Sequence, residues 1–189
     1  MTRSLAQAWR DRFNATVQQP QFAEPLQNAA TLRTWTTSLT ETVAATCEAQ
    51  GWSVATKTRS PHFDGINTSE YLNIDAIAFE TPDLWAFPIA AIELENQRQR
   101  CAYSLWKLLC LRVPLRILFG YSQTQRDRST LPQDLQHQVL DPIPLDDRPH
   151  RLAGETILAI GSLDAIDVFP YSYFKWWKLD TNTTRFTLL

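Results

Sequence analysis

Residues 34–121 carry the periodicities of two helices and four strands, in the order helix, three strands, helix, strand. The first helix pattern runs from about Thr34 to Gln50 with one apolar face, and Gly51 supplies a stop signal. The second runs from Gln97 to Arg112, and Pro114 ends it. Helices of this kind bury their apolar stripes against a sheet, so the sequence predicts an α/β fold.

Two neighbouring strand patterns precede the second helix. Tyr71–Phe79 alternates apolar and polar side chains, and Trp85–Glu95 is mostly apolar until its polar end. The short segment Thr81–Asp83 between them is typical of a turn, which makes the two strands hairpin neighbours. Trp52–Thr58 reads as a half-buried strand before them, and Leu115–Tyr121 as a short apolar strand after the helix. The sequence therefore predicts a mixed sheet flanked by helices.

The length of the chain limits the number of domains. At 189 residues it is long enough for one full core and short for two, so residues 1–189 should form a single domain around the 34–121 core. Upstream of this core, residues 2–18 look helical, until Pro20 and Pro25 break the pattern.

Downstream of the core the composition changes. Residues 122–155 are polar and proline-rich, with one helix near Pro132–Leu140, and are predicted to form a surface excursion. Residues 156–189 should add C-terminal strands. The strand patterns lie near 156–160, 172–179 and 185–189.

Signals for membrane insertion or secretion do not appear in the pattern. The longest apolar run, Leu84–Ile92, is about half of the roughly 20 residues that a membrane-spanning helix needs, and it contains Pro88. Residues 1–13 lack an apolar stretch followed by a small-residue cleavage site. We therefore expect a cytoplasmic protein with no membrane partner.

Charge and metal-ligand spacing exclude some classes of partner. The formal net charge of −2 gives no global attraction to phosphate, so a nucleic-acid partner would need a local basic patch. The cysteines and histidines never stand at zinc-ligand spacing, so a zinc site is not expected. The sequence leaves open whether the chain acts as a homodimer.

Three acidic residues stand on the two hairpin strands. Asp75 lies in an otherwise apolar strand, where an unpaired carboxylate would be costly to bury. Glu93 and Glu95 flank Leu94, so they project from the same face, roughly 6.6 Å apart along the strand. Asp75 can face that pair across the hairpin. Converging carboxylates need protonation, a basic partner or a divalent cation, and Mg²⁺ suits such oxygen ligands.

Asp75 on the second strand and Glu93-Leu94-Glu95 on the third, within the order αβββαβ, resemble the PD-(D/E)xK nuclease superfamily. The resemblance covers about Thr34–Tyr121 and implies a restriction-endonuclease-like core. It further implies that Asp75 and Glu93 bind Mg²⁺ or Mn²⁺, and that the protein hydrolyses phosphodiester bonds of nucleic acid, with DNA the expected substrate. Glu95 occupies the family's lysine position, as in the E-x-E version found in some restriction enzymes. Ile74 replaces the proline before the aspartate.

Gln99 and Tyr103 are similar to the Q-x-x-x-Y element of the RecB-like exonuclease branch. Their four-residue spacing puts both on one helix face, and Lys107 continues that stripe one turn later. Gln99 and Tyr103 are therefore expected to contact substrate. Lys107 could replace the missing strand lysine and steady the phosphate, while Glu95 orients or deprotonates the attacking water.

Each of these residues also has a structural interpretation. Asp75 could pair with Arg59 or Arg116, and Glu93 and Glu95 could form a solvated strand end. The helix residues could equally be the polar side of an ordinary amphipathic helix. The alternative function is a catalytically inert interaction or nucleic-acid-binding module on the same fold.

Overall fold

The computed structural model describes residues 4–57, 73–80 and 86–189. The helices of these residues are α1 (Leu5–Val17), α2 (Pro20–Gln27), α3 (Leu32–Ala49), α4 (Cys101–Leu109), α5 (Gln125–Leu135) and α6 (Arg148–Arg151). The strands are β1 (Ser53–Thr56), β2 (Ala76–Phe79), β3 (Pro88–Glu95), β4 (Leu115–Ser122), β5 (Glu155–Ser162), β6 (Lys175–Asp180) and β7 (Arg185–Leu188). Within these ranges, no helix has both the length and the apolar character needed to cross a membrane.

The strands of the described residues form one seven-stranded sheet, side by side in chain order. β1, β2 and β3 form an antiparallel meander, β3, β4 and β5 run parallel, and β6 and β7 are antiparallel. Because parallel neighbours need a crossover, α4 joins β3 to β4, and α5 lies between β4 and β5. The predicted α/β class with a mixed sheet is confirmed. The predicted element order is present as α3, β1, β2, β3, α4 and β4.

An apolar layer covers each face of the sheet. On one face, Phe13 of α1 is buried in the same cluster as Ile92 of β3. On the other face, Leu105 of α4 and Leu131 of α5 share a buried cluster with Ala91. Ile92 and Ala91 are neighbours in β3 and contact opposite layers, as the two-residue period of a strand requires. Burial on both faces explains why β3 reads as a nearly continuous apolar run.

The break predicted at Pro20 and Pro25 is instead a helix, α2. Pro20 occupies its first turn, where a backbone N–H would have no helical partner. Pro25 lies inside the helix and cannot donate to the carbonyl of Gln21. Because Gln21 is exposed, water can hydrate that carbonyl. The helix therefore tolerates both prolines.

The segment 122–155, predicted as a surface excursion, supplies part of the second apolar layer. Its main helix starts at Gln125 instead of near Pro132, because Thr124 caps it by accepting the backbone N–H of Asp127. Pro132 is thus internal to α5. The segment's buried leucines are Leu131, Leu135, Leu140 and Leu152. The polar composition of this segment therefore reflects only the side that faces solvent.

The strand predicted over Tyr71–Phe79 begins later than expected. Tyr71 lies outside the described residues, as do the predicted loop 59–70 and the turn at 81–83. Asn73 has a positive φ of 51°, which breaks the extended chain before β2. As a result, Ile74 packs in the same layer as Ile77 instead of on the opposite face. The alternation predicted from the sequence holds only from Ala76 onward.

Candidate functional site

Asp75 and Glu93 meet because β2 and β3 pair in antiparallel register. Ala76 pairs with Ile92, so Asp75, just before β2, lies beside Glu93. The backbone N–H of Asp75 donates to Glu93 Oε1 over 3.3 Å, and the backbone N–H of Leu94 donates to Asp75 Oδ2 over 2.9 Å. The two predicted acids therefore come together at the edge of the sheet where β2 begins and β3 ends.

Lys107 of α4 joins this pair. Its Nζ lies 2.8 Å from Glu93 Oε1 and donates to the backbone carbonyl of Asn73 over 2.9 Å. The opposite side of α4 packs on the sheet and sets this orientation. Its buried residues include Cys101, Leu105 and Leu108, as the periodicity predicted. Asp75, Glu93 and Lys107 thus belong to one hydrogen-bonded network.

Burial governs the ionisation of Glu93, which is only 4% exposed to solvent. Loss of hydration raises the pKa of its carboxyl, and the neighbouring charge of Asp75 raises it further. The hydrogen bond from Lys107 acts in the opposite direction and lowers the pKa. The net effect is a raised pKa, so the carboxylate form of Glu93 is held at a cost to the fold.

The raised pKa predicts that Glu93 makes stability depend on pH. The folded protein holds this proton more tightly than the unfolded chain, so the stabilising contribution is complete below the ordinary pKa of 4.5 and is lost as the pH rises through the raised value. Glu93→Gln stays neutral, so its free energy of unfolding should improve relative to wild type as the pH rises above 4.5 toward neutral. Urea unfolding of both proteins across this range measures the difference, and a pH-independent difference would contradict the raised pKa.

Glu95 lies on the same face of β3 but has different contacts. Its Oε1 accepts the backbone N–H of Gln97 over 2.9 Å, and its Oε2 lies 3.6 Å from Arg100 Nε. Among the described residues, no group of three His, Cys, Asp or Glu side chains is arranged to hold a metal ion. The predicted convergence of three carboxylates is therefore wrong for these residues. A strand separates Glu93 from Glu95 by two residues, and local contacts hold Glu95 at the start of the next helical segment.

Each acid lies within ion-pair distance of a basic side chain. The pairs are Asp75 with Lys57 at 3.5 Å, Glu93 with Lys107 at 2.8 Å and Glu95 with Arg100 at 3.6 Å. Clustered carboxylates can be accommodated by protonation, by basic partners or by a divalent cation, and this fold uses basic partners. Sequence reasoning overlooked Lys57, although the hairpin register contains the signal. Thr56 pairs with Ala76, so the following residue reaches the level of Asp75.

Of the two arginines proposed as structural partners of Asp75, the structure describes only Arg116, which does not pair with it. Arg59 lies outside the described residues. Arg116 is buried and donates to the backbone carbonyls of Leu108, Leu111 and Ala153. Burial lowers its pKa, and the carbonyls at the end of α4 supply the compensating acceptors.

The two residues predicted to contact substrate lie at the surface. Gln99 is exposed within a 3₁₀ turn, Arg98–Arg100, that precedes α4 and shortens the helix predicted over 97–112. Tyr103 is exposed on α4, and its ring centroid lies 6.0 Å from Lys107 Nζ. The ring of Trp106, which sequence reasoning left without a role, lies 5.8 Å from that of Tyr103. Tyr103 is therefore continuous with the acidic site through Lys107, whereas the side chain of Gln99 donates to Gln97 Oε1 over 3.4 Å.

Asp75 and Glu93 offer the type of donor atom that hard divalent cations take. Asp75 and Glu93 provide carboxylate oxygens, and Mg²⁺ commonly takes only one or two carboxylates and completes its shell with water and phosphate. The described residues offer no larger cluster of acids, cysteines and histidines that would suit a cation bound by protein alone.

Comparison of the chain with protein-family models, curated proteins and solved structures gives no match. What the site does must therefore follow from its own geometry.

Proposed function

We propose that this protein is a divalent-metal-dependent phosphodiesterase that cleaves nucleic acid, with DNA as the expected substrate. The observation that supports the proposal is the shared network of Asp75, Glu93 and Lys107, which come from the start of β2, from β3 and from α4. Metal-assisted phosphodiester hydrolysis needs acidic metal ligands and a cation beside the phosphate. These three residues supply both.

Asp75 and Glu93 would hold Mg²⁺ or Mn²⁺. The bound metal would polarise the phosphate and lower the pKa of a water molecule. Glu95 remains the candidate to orient the attacking water from the same face of β3, and Gln99 the candidate to contact the phosphate. Within this proposal the fold is the restriction-endonuclease-like core that the sequence resembles.

Lys107 can serve the function of the family's lysine, whose position on β3 is occupied by Glu95. An ammonium group has three donors. The bonds to Glu93 and to the carbonyl of Asn73 account for two of them. The remaining donor can bind a phosphate oxygen without release of Glu93, so one residue would orient the metal ligand and neutralise the substrate.

The pairing of all three acids with basic side chains favours a second candidate function. If Lys57, Lys107 and Arg100 serve only to neutralise the acids, the domain is a catalytically inert interaction or nucleic-acid-binding module. The two functions differ in one property, which is the affinity of the site for a divalent cation.

The test is metal-dependent cleavage by the wild-type chain. We expect Mg²⁺ or Mn²⁺ to support cleavage of single-stranded or duplex DNA, excess chelator to abolish it, and added metal to restore it. Titration with Mn²⁺, followed by electron paramagnetic resonance, should show a bound population that Asp75→Asn removes. Neither metal binding nor cleavage would be seen if the domain is inert.

A further inference from the structure

Two large aromatic side chains are exposed on α4, next to the candidate site. Tyr103 is 57% exposed and Trp106 is 55% exposed, and their ring centroids lie 5.8 Å apart with an interplanar angle of 32°. Rings exposed to this degree contribute little to the stability of the fold, because much of their surface stays in water. Neighbouring exposed rings instead mark an interaction surface.

Basic side chains flank the two rings. Lys107 Nζ lies 6.0 Å from the Tyr103 ring centroid, and the side chain of Arg100 is 60% exposed one turn earlier. Together, these side chains form a basic–aromatic stripe that begins at the end of the 3₁₀ turn and continues along α4, and its members are Arg100, Tyr103, Trp106 and Lys107. The stripe is continuous with the candidate site, since Lys107 also contacts Glu93.

We propose that the basic–aromatic stripe binds an unpaired stretch of nucleic acid, so that the substrate is single-stranded at the point of cleavage. The rings offer faces on which bases stack, and the cations meet phosphates. Bases inside a duplex have their faces covered by their neighbours and cannot use such a surface. This inference rests on the proposed function, because it names the substrate class of the same site.

The dimensions of the stripe suit a short length of single strand. From Arg100 to Lys107 the helix advances roughly 10 Å, at about 1.5 Å per residue. Stacked nucleotides rise about 3.4 Å each, so two or three of them match this length. Arg100 precedes Tyr103 by about one turn and Lys107 follows it by about one turn, so the two cations lie on either side of the Tyr103 ring, where the phosphates next to a stacked base would lie.

The experiment measures oligonucleotide binding without cleavage. Fluorescence anisotropy with the full chain and excess chelator should show a labelled dT20 strand binding at least about 10-fold more tightly than the same strand in a duplex. Tyr103→Ala and Trp106→Ala should each weaken binding of dT20 about 10-fold, since a base loses its stacking partner. Trp106→Phe keeps an aromatic face and should retain most of the affinity.

Tyr171→Ala is the matched control, because this tyrosine is 64% exposed elsewhere on the surface. It should bind dT20 as the wild type does. Equal affinity for single strand and duplex, or wild-type affinity in both alanine variants, would overturn the inference.

The same proteins separate this inference from the proposed function. If the alanine variants lose dT20 binding but metal never supports cleavage, the stripe is a binding surface and the catalytic proposal is wrong. If they bind and cleave as the wild type does while Asp75→Asn loses cleavage, the catalytic proposal stands and the stripe does not bind the substrate.

Discussion

Glu93→Gln should lower the rate of metal-dependent cleavage by at least about 100-fold, which corresponds to about 2.7 kcal/mol of transition-state free energy. Glutamine keeps the shape of the side chain but removes a charge that would hold the metal. Because burial already raises the pKa of Glu93, the neutral side chain should leave the free energy of unfolding unchanged or higher at neutral pH. Cleavage rates at saturating Mg²⁺ and urea unfolding curves measure the two effects. A loss of activity without a loss of stability identifies a catalytic residue.

Lys107→Met should lose activity and stability together. The methionine removes the ammonium group that contacts Glu93 and leaves a buried carboxylate without this partner. We expect a loss of about 2 kcal/mol at neutral pH, which should shrink in acid as Glu93 takes up a proton. Combining it with Glu93→Gln should recover part of that stability but none of the activity.

A second acid–lysine pair provides the control for both variants. Lys178 Nζ lies 2.7 Å from Glu155 Oε1, close to the 2.8 Å between Lys107 and Glu93. Glu155→Gln and Lys178→Met remove the same groups away from the candidate site, so cleavage per folded molecule should not change. If the Glu93 and Glu155 variants behave alike, and both lose stability only, these residues are structural ion pairs and the nuclease proposal is wrong.

Gly154→Ala should produce a large loss of stability. Gly154 has a φ of +91°, and a Cβ there would lie 2.7 Å from the carbonyl oxygen of Val113 and 2.9 Å from that of Pro114. The same turn supports the hydrogen bond from Arg116 to the carbonyl of Ala153. The backbone at the start of β4 would have to move, so we expect a loss of more than about 4 kcal/mol. Chemical denaturation of the purified variant measures it.

Gly51→Ala separates backbone strain from the steric clash. Gly51 also has a positive φ, +82°, but a Cβ there meets nothing within 4 Å. Its substitution should cost only about 1 kcal/mol, which is the penalty for the left-handed conformation. If the two alanine variants lose the same free energy, the close approach at Gly154 does not contribute.

Local periodicity predicted most of the elements near the site. The helical repeat of Cys101, Leu105 and Leu108 identified the buried side of α4, and the apolar run before Glu95 identified β3. The short turn between the strand patterns suggested that Asp75 would reach Glu93. These features follow from the repeat of a single helix or strand, which a sequence displays directly.

The network of the site depended on contacts between elements. Lys107 reaches Glu93 because α4 docks on the sheet at one particular rotation, and the sequence shows only that Lys107 lies on a polar stripe. The left-handed backbone of Asn73 places Ile74 on the opposite layer from the one predicted. Arg116 bonds to carbonyls of two separate segments instead of to Asp75.

The sequence by itself determined the kinds of element, their order and the acids that stand on neighbouring strands. Only the tertiary structure decided that two acids share a network with Lys107, and that Glu95 lies apart with Arg100. The physical reason is that backbone repeats are set within a few residues, whereas the partner of a side chain depends on strand register and helix docking. A shift of one residue in register, or of one turn in α4, would leave the patterns intact and separate the residues of the site.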